Sequence, residues 1–163
     1  MRKMETELKL LKSSHCVGES NFHMQFTPKY RKPVFENPVI KAECERLLLG
    51  IAEQLGIMVA GIGFGPDHAH MFLSNCKNYS AAKLAMRLKG ASSRVLRMKL
   101  WRELAPYYWG KSFWSDGYFY RSVGAVNYQT MKYYVEKSQD KHWHKQSYEE
   151  YAHEKQRTLS EFA

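Results

Sequence analysis

Ile57-Met58-Val59-Ala60-Gly61-Ile62-Gly63-Phe64-Gly65-Pro66-Asp67-His68-Ala69-His70-Met71-Phe72-Leu73 is the stretch that decides the fold. A short apolar run rich in branched residues, Ile57 to Phe64, meets a Pro66-Asp67 turn and then a second run opened by histidines, the pattern of an antiparallel hairpin. Side chains alternate faces along a strand, so His68 and His70 point one way while Ala69, Met71 and Leu73 point into the opposite layer. Two convergent imidazoles can share one metal ion; two polar residues on a wet sheet face are the plainer alternative.

Working outward, Asn21-Phe22-His23-Met24-Gln25-Phe26 alternates polar and apolar, the period of a strand buried on one face, and Thr27-Pro28 stops it. Lys29-Tyr30-Arg31-Lys32 follows at the strand exit, either as a phosphate contact or as a solvated turn. Asn37-Pro38 opens a helix in which Ile40, Cys44, Leu47, Leu48, Ile51 and Leu55 recur until Gly56 ends it. Ser80 caps a second helix with Lys83, Arg87, Lys89, Arg94, Arg97 and Lys99 on its outer surface, which can bind a phosphate backbone or simply face water. Trp101 to Trp114 reads as an irregular aromatic connection, Tyr118 to Val123 as a strand, and Asn127 as the cap of a third helix running through Tyr134 toward Gln139. The order strand, helix, strand, strand, helix, strand, helix predicts an α+β, ferredoxin-like or RRM-like antiparallel sheet with helices on one face plus a C-terminal helix. Residues 1–14 are read as an N-terminal extension, 15–143 as the working domain and 144–163 as a polar tail or helix.

At 163 residues and 44% hydrophobic content the chain suits one domain with its own core. Its formal charge of +9 favours a polyanionic partner, nucleic acid first, and its 11 Tyr, 8 Phe and 4 Trp offer rings for stacking as well as for packing. Three cysteines without a Cys-X-X-Cys spacing fit reduced thiols. No apolar run approaches the roughly 20 residues that cross a bilayer, so no membrane partner is expected and a cytoplasmic location is.

Phosphodiester transfer needs charge stabilisation at the phosphate and an aligned nucleophile. A metal held by two histidines and one further ligand meets the first need, and a tyrosine whose phenol is helped to lose its proton meets the second. Asp67-His68-Ala69-His70 resembles the Asp-His-Val-His element of the single-tyrosine HUH transposases of the insertion-sequence 200/605 family, and Lys132-Tyr133-Tyr134-Val135-Glu136 is similar to that family's Lys-Lys-Tyr-Ile-Glu helix. Pro28-Lys29-Tyr30-Arg31, Leu88-Lys89-Gly90-Ala91-Ser92-Ser93-Arg94 and Phe113-Trp114-Ser115-Asp116-Gly117-Tyr118-Phe119 extend the likeness over about residues 15–143.

The resemblance implies a homodimeric enzyme that recognises hairpins at the ends of a mobile element and cleaves and rejoins single-stranded DNA. It assigns His68 and His70 as ligands of Mg2+ or Mn2+ and Tyr134 as the nucleophile that takes the 5′-phosphate and frees a 3′-OH. The active site is then open to being shared between subunits. Lys29, Arg31, Lys32, Lys89 and Arg94 are the expected nucleic-acid contacts. The family places a glutamine four residues after the tyrosine, on the same helix face; here that position is Ser138, and Gln139 lies roughly 140° around a regular helix from Tyr134. Gln139 is preferred as third ligand because an amide oxygen reaches farther than a hydroxyl, with Ser138 and water as alternatives. Two other functions remain open at this point: a non-catalytic single-strand-binding module, and a domesticated HUH endonuclease acting on repeat palindromes.

Overall fold

The structure, a computed structural model, describes residues 11–107 and 110–124. Leu11–Ser13 (β1) and Cys16–Gly18 (β2) pair as a two-stranded antiparallel ribbon. Then come Asn21–Phe26 (β3), Pro38–Gln54 (α1), Met58–Gly65 (β4), His68–Ser74 (β5), Ala81–Lys99 (α2), Trp101–Leu104 (α3) and Phe119–Val123 (β6). The four longer strands form one antiparallel sheet in the order β4-β5-β3-β6. The two β-α-β crossovers are therefore split, each leaving room for one strand of the other, and the ferredoxin-like α+β architecture expected from the sequence is present.

The capping chemistry follows the sequence closely. The Asn37 side chain accepts hydrogen bonds from the backbone N–H of Val39 and Ile40, at 3.0 and 3.4 Å, with Pro38 in the first turn where its missing N–H costs nothing. Gly56 ends the helix at φ +69°, the left-handed conformation that glycine takes without strain. Ser80 caps α2 by accepting from Lys83 N–H at 3.2 Å. Both helices cover the same sheet face: Met24, Phe26, Ala69, Met71 and Leu73 from the strands meet Ile40, Cys44 and Leu48 of α1 and Leu84, Leu88 and Leu96 of α2 in one buried cluster.

Three details differ from the sequence expectation. The connection after α2 is not wholly irregular, since α3 adds a short helix and Phe113 and Trp114 are core residues. Trp114 forms an isolated bridge with Pro28, Lys29 N–H donates to Phe113 C=O at 2.8 Å and Ser115 N–H to Thr27 C=O at 2.9 Å, which ties this segment to the exit of β3. Periodicity cannot reveal such a plug, because its burial comes from a partner 86 positions away rather than from a repeating face. The ribbon at 11–18 straddles the boundary drawn at residue 14, and β6 begins at Phe119. The helix expected from Asn127 and the tail at 144–163 lie outside the described residues. Among the described residues no helix is long and apolar enough to cross a membrane.

The buried Trp114 indole donates its N–H to Ser92 Oγ at 2.9 Å, and that hydroxyl in turn donates to Leu88 C=O. Ser92→Ala would strand the indole N–H in the core, where an unsatisfied buried donor costs about 1–3 kcal/mol. Urea unfolding followed by tryptophan fluorescence should show a loss of that size; an unchanged midpoint would mean the indole finds another acceptor.

Candidate active site

The face of the sheet opposite the helices carries the histidines. His68, His70 and Phe72 of β5 share it with His23 and Gln25 of β3, because His23 pairs across the strands with Phe72 and Gln25 with His70. On the other flank β4 alternates glycine with apolar residues, and its register sets Gly61, Gly63 and Gly65 opposite Phe72, His70 and His68. The histidine row therefore stands beside a strip of bare backbone. A side chain on Gly65 would overlap the His68 ring, its Cβ lying 2.7 and 2.8 Å from the two ring nitrogens. Only glycine at 65 leaves the imidazole in place.

His68 and His70 have ring centroids 5.7 Å apart and are 4% and 1% exposed. Asp67 Oδ1 lies 2.9 Å from His68 Nδ1, and a carboxylate can only accept, so Nδ1 carries the proton and Nε2 presents its lone pair. That Nε2 is buried with no hydrogen-bond partner among the described residues. A histidine fixed by a carboxylate on one nitrogen and left open on the other is the usual state of a metal-ligating imidazole, so the pair fits a divalent cation. Among the described residues no three His, Cys, Asp or Glu side chains lie close enough together to hold a metal.

Asp67 itself is clamped. Its other oxygen takes Arg31 Nε at 3.1 Å and Arg31 Nη2 at 3.0 Å. Burial acts to raise the carboxyl pKa, but the hydrogen bonds and charges of His68 and Arg31 outweigh it and hold the group below the usual carboxylate range. Arg31 reaches Asp67 from a 3-10 turn, Lys29–Arg31, in which Tyr30 and Arg31 both have positive φ, 60° and 51°. Non-glycine residues in this region cost about 1 kcal/mol or more each, so the turn is held by its contacts and not by local preference.

His23 stacks flat on Phe72, with centroids 4.5 Å apart and planes 9° from parallel, and lies 6.0 Å from the His70 ring. Burial, and then the charge of Arg121, push its pKa down to about 4. Burial, followed by the neighbouring His23 and His68, pushes His70 down to about 3. Both rings are neutral near pH 7, the form that can ligate a metal.

Of the other residues singled out in the sequence, Lys29, Arg31 and Lys32 sit at the β3 exit beside the Asp67 corner, with Lys32 and Arg31 exposed and Arg31 already engaged. Lys89 and Arg94 are on α2, on the helix side of the molecule. Lys89 Nζ donates to the backbone carbonyls of Asp116 and Gly117 at 2.9 and 3.0 Å, fastening the loop before β6. Arg94 lines a cleft of about 620 Å³ with Arg97, Ser93, Ser112 and Ser115. Tyr134, Ser138 and Gln139 lie outside the described residues. Asp67 as a histidine-orienting carboxylate was not recognised from sequence; the polar face of the Asn21–Phe26 alternation and the glycine alternation of β4 are the signals that mark this surface.

Fold and site together define a class: a small ferredoxin-like α+β protein with paired, buried histidines on the sheet face away from its helices. The family described as "Transposase IS200 like" matches residues 16–138, and the chain belongs to that family of transposases. It is 28% identical over 134 residues to the ISDra2 transposase TnpA of Deinococcus radiodurans, covering 82% of this chain and 94% of that one. It is also 28% identical over 111 residues to the transposase for insertion sequence element IS200 of Salmonella typhimurium, covering 68% and 72%. The fold superposes on the crystal structure of a Deinococcus radiodurans R1 protein, described there as a candidate transposase, with a TM-score of 0.63, 24% identity, and coverage of 80% of this chain and 98% of that one.

Two measurements test this geometry. Gly65→Ala should displace the His68 ring, shifting its Hε1 resonance and costing about 1–3 kcal/mol of stability as overpacking does; an unmoved resonance would contradict the close approach. Because the folded-state values of His23 and His70 lie below the ordinary 6.5, the unfolded chain binds more protons as pH drops under 6.5. Stability of the metal-free protein should therefore fall from pH 7 to pH 5 and keep falling toward pH 4, and His23→Phe should flatten the slope of the urea midpoint against pH. An equally steep profile in the variant would remove His23 from this account.

Proposed function

We propose that the protein cleaves and rejoins single-stranded DNA at the ends of a mobile element, using Tyr134 as nucleophile and a divalent cation, Mg2+ or Mn2+, held by His68 and His70. The observation that carries this reading is the buried Nε2 of His68, without a hydrogen-bond partner among the described residues and aimed by Asp67 beside the neutral His70 ring. The cation, when bound, supplies charge stabilisation at the scissile phosphate that a neutral imidazole pair cannot. Nitrogen ligands suit Mn2+ more readily than Mg2+, which prefers oxygen and water.

Tyr134 performs the covalent step. Its phenolate oxygen forms a bond to phosphorus, the bond from phosphorus to the 3′-oxygen breaks, and that oxygen takes up a proton to become a free 3′-OH. The 5′-phosphate stays on the tyrosine, so the diester energy is conserved and a second 3′-OH can reverse the reaction with no nucleotide cofactor. Arg31 holds Asp67, Asp67 holds His68, and Gly65 gives the ring its place. The exposed rings of Tyr118, Phe119 and Tyr120, 37%, 44% and 52% accessible, lie on the sheet edge and its approach, where unpaired bases can stack. Lys29 and Lys32 at the β3 exit, and Arg94 with Arg97 in the cleft beside α2, supply separate phosphate contacts, the second suited to a DNA hairpin stem held away from the histidines. A homodimer whose subunits share the site through the Tyr134 helix completes the proposal.

Incubation of the full chain with a single-stranded oligonucleotide carrying a subterminal hairpin and Mn2+ should give a covalent adduct that survives denaturing electrophoresis. Tyr134→Phe should abolish the adduct, and its persistence would transfer the nucleophile to another residue. His68→Ala should lower cleavage by a hundredfold or more, on the order expected for lost electrostatic stabilisation of the transition state, while hairpin binding stays near wild type. Binding of hairpin DNA with no adduct under any metal condition would favour a non-catalytic single-strand-binding module.

A further inference from the structure

We propose that Tyr30 is a stacking platform for an unpaired base of the single strand that the protein processes. The inference rests on the single-strand reading above and adds a ring separate from those of β6, at the turn that follows β3.

Among the described residues three that are not glycine have positive φ: Tyr30 at 60°, Arg31 at 51° and Asn75 at 64°. Asn75 has a local reason, because asparagine tolerates this region and its amide donates to Gly56 C=O at 3.0 Å. Arg31 has one as well, since its guanidinium closes on Asp67 at 3.0 Å. Tyr30 has no comparable anchor. Its ring is 70% exposed, and it meets a charge, the Lys29 ammonium 5.5 Å from its centroid. An exposed tyrosine in ordinary backbone would need no explanation. A bulky side chain in left-handed backbone does, because its Cβ crowds the following carbonyl.

The fold holds this turn from both sides. Lys29 N–H donates to Phe113 C=O at 2.8 Å, Arg31 N–H donates to Pro28 C=O at 2.9 Å, and Pro28 is bridged to Trp114. Just beyond the turn Val34 and Phe35 are buried in the core. Strain kept at a position that glycine would occupy more easily points to a use for the side chain. The place of the turn says which use. β3 ends where Phe26 pairs with Ala69, beside His68, so Tyr30 leaves the sheet at the histidine end, one residue from the arginine on Asp67. A single strand crossing the histidines passes this corner. Lys29 and Lys32 offer ammonium groups to its phosphates, and Arg31 offsets the Asp67 charge that would repel them. A ring set among cations holds single strands without reading their sequence, since every base has a π-face. In a duplex those faces are covered by neighbouring base pairs, so the platform favours unpaired DNA.

The experiment measures binding of the full chain, with metal chelated to prevent cleavage, to a single-stranded oligonucleotide carrying a subterminal hairpin. 2-Aminopurine is placed at successive unpaired positions. Binding should quench its fluorescence at a position that lies on the ring. Tyr30→Leu should abolish that quench and weaken binding by about fivefold to a hundredfold, the range for loss of one stacked base. Tyr30→Trp should retain both, and affinity for a blunt duplex should be the same in every variant. Tyr30→Gly separates binding from folding, because it removes the ring and suits the left-handed backbone. Its urea midpoint should be no lower than wild type, while its single-strand affinity falls as in Tyr30→Leu. Wild-type single-strand affinity in both variants, equal weakening toward duplex and single strand, or a quench that survives in Tyr30→Gly would overturn the assignment. A fall in both midpoint and binding for Tyr30→Gly would make the ring a structural part of the turn and overturn it too. Failure of the wild-type chain to bind any single strand would instead bring down the single-strand reading itself, so the two failures are distinguishable.

Discussion

The antiparallel pairing of β3 with β5 is the constraint on which the rest of the structure depends. It joins two strands that alternate a core-facing set, Met24, Phe26, Ala69, Met71 and Leu73, with an open-face set, His23, Gln25, His68, His70 and Phe72. A slip of one residue in either strand would turn its core set to the open face, and with it the chemistry into the core. The helices enforce the register from one side, since Leu84, Leu88 and Ile40 need the methionines beneath them. Stability and function are thereby specified by the same hydrogen-bond ladder. The histidines are held by the requirement that the core be buried, with Asp67 and Arg31 fixing the His68 ring in addition.

A second constraint acts at the end of that ladder. The chain leaves β3 through two residues at positive φ, and it leaves β4 through the Pro66-Asp67 corner. The Arg31–Asp67 ion pair bridges these two exits at 3.0 Å. Because Arg31 is largely exposed, the pair adds little to global stability, as surface ion pairs generally do. What it does is local: it orients the carboxylate that fixes the His68 tautomer. A basic cluster first read as a phosphate contact or a solvated turn thus has one member committed to the histidine, while Lys29 and Lys32 keep their ammonium groups available at the same edge.

Much of this was legible in the sequence, and the legible parts share a cause. The hairpin, both capped helices and the face carrying His68 and His70 follow from period and cap chemistry, which act over a few residues. The ferredoxin-like order follows from the sequence of elements. What escaped notice is set by partners distant in sequence: Trp114 is core because of Ser92 and Phe26, Lys89 fastens the loop at Asp116 and Gly117, and Asp67 is tied to Arg31 across 36 positions. Gly61, Gly63 and Gly65 belong to the same group. Their alternation was visible, but its meaning, a bare strip beside the imidazoles, appears only when the strand register is in hand.

The distribution of charge has its own consequence. The sheet face away from the helices carries His23, His68, His70, Gln25 and aromatic rings, with Arg121 of β6 opposite His23, whereas Lys89, Arg94 and Arg97 stand on the helix side, separated from the histidines by the hydrophobic layer. A phosphate backbone at the α2 cleft would not be drawn by that charge onto the histidines. A cation held by His68 and His70 would be repelled by an ammonium group in the same low-dielectric setting, and the burial that keeps His70 neutral would make that repulsion large. With Lys89, Arg94 and Arg97 on the far side of the core, their charge adds little to that repulsion.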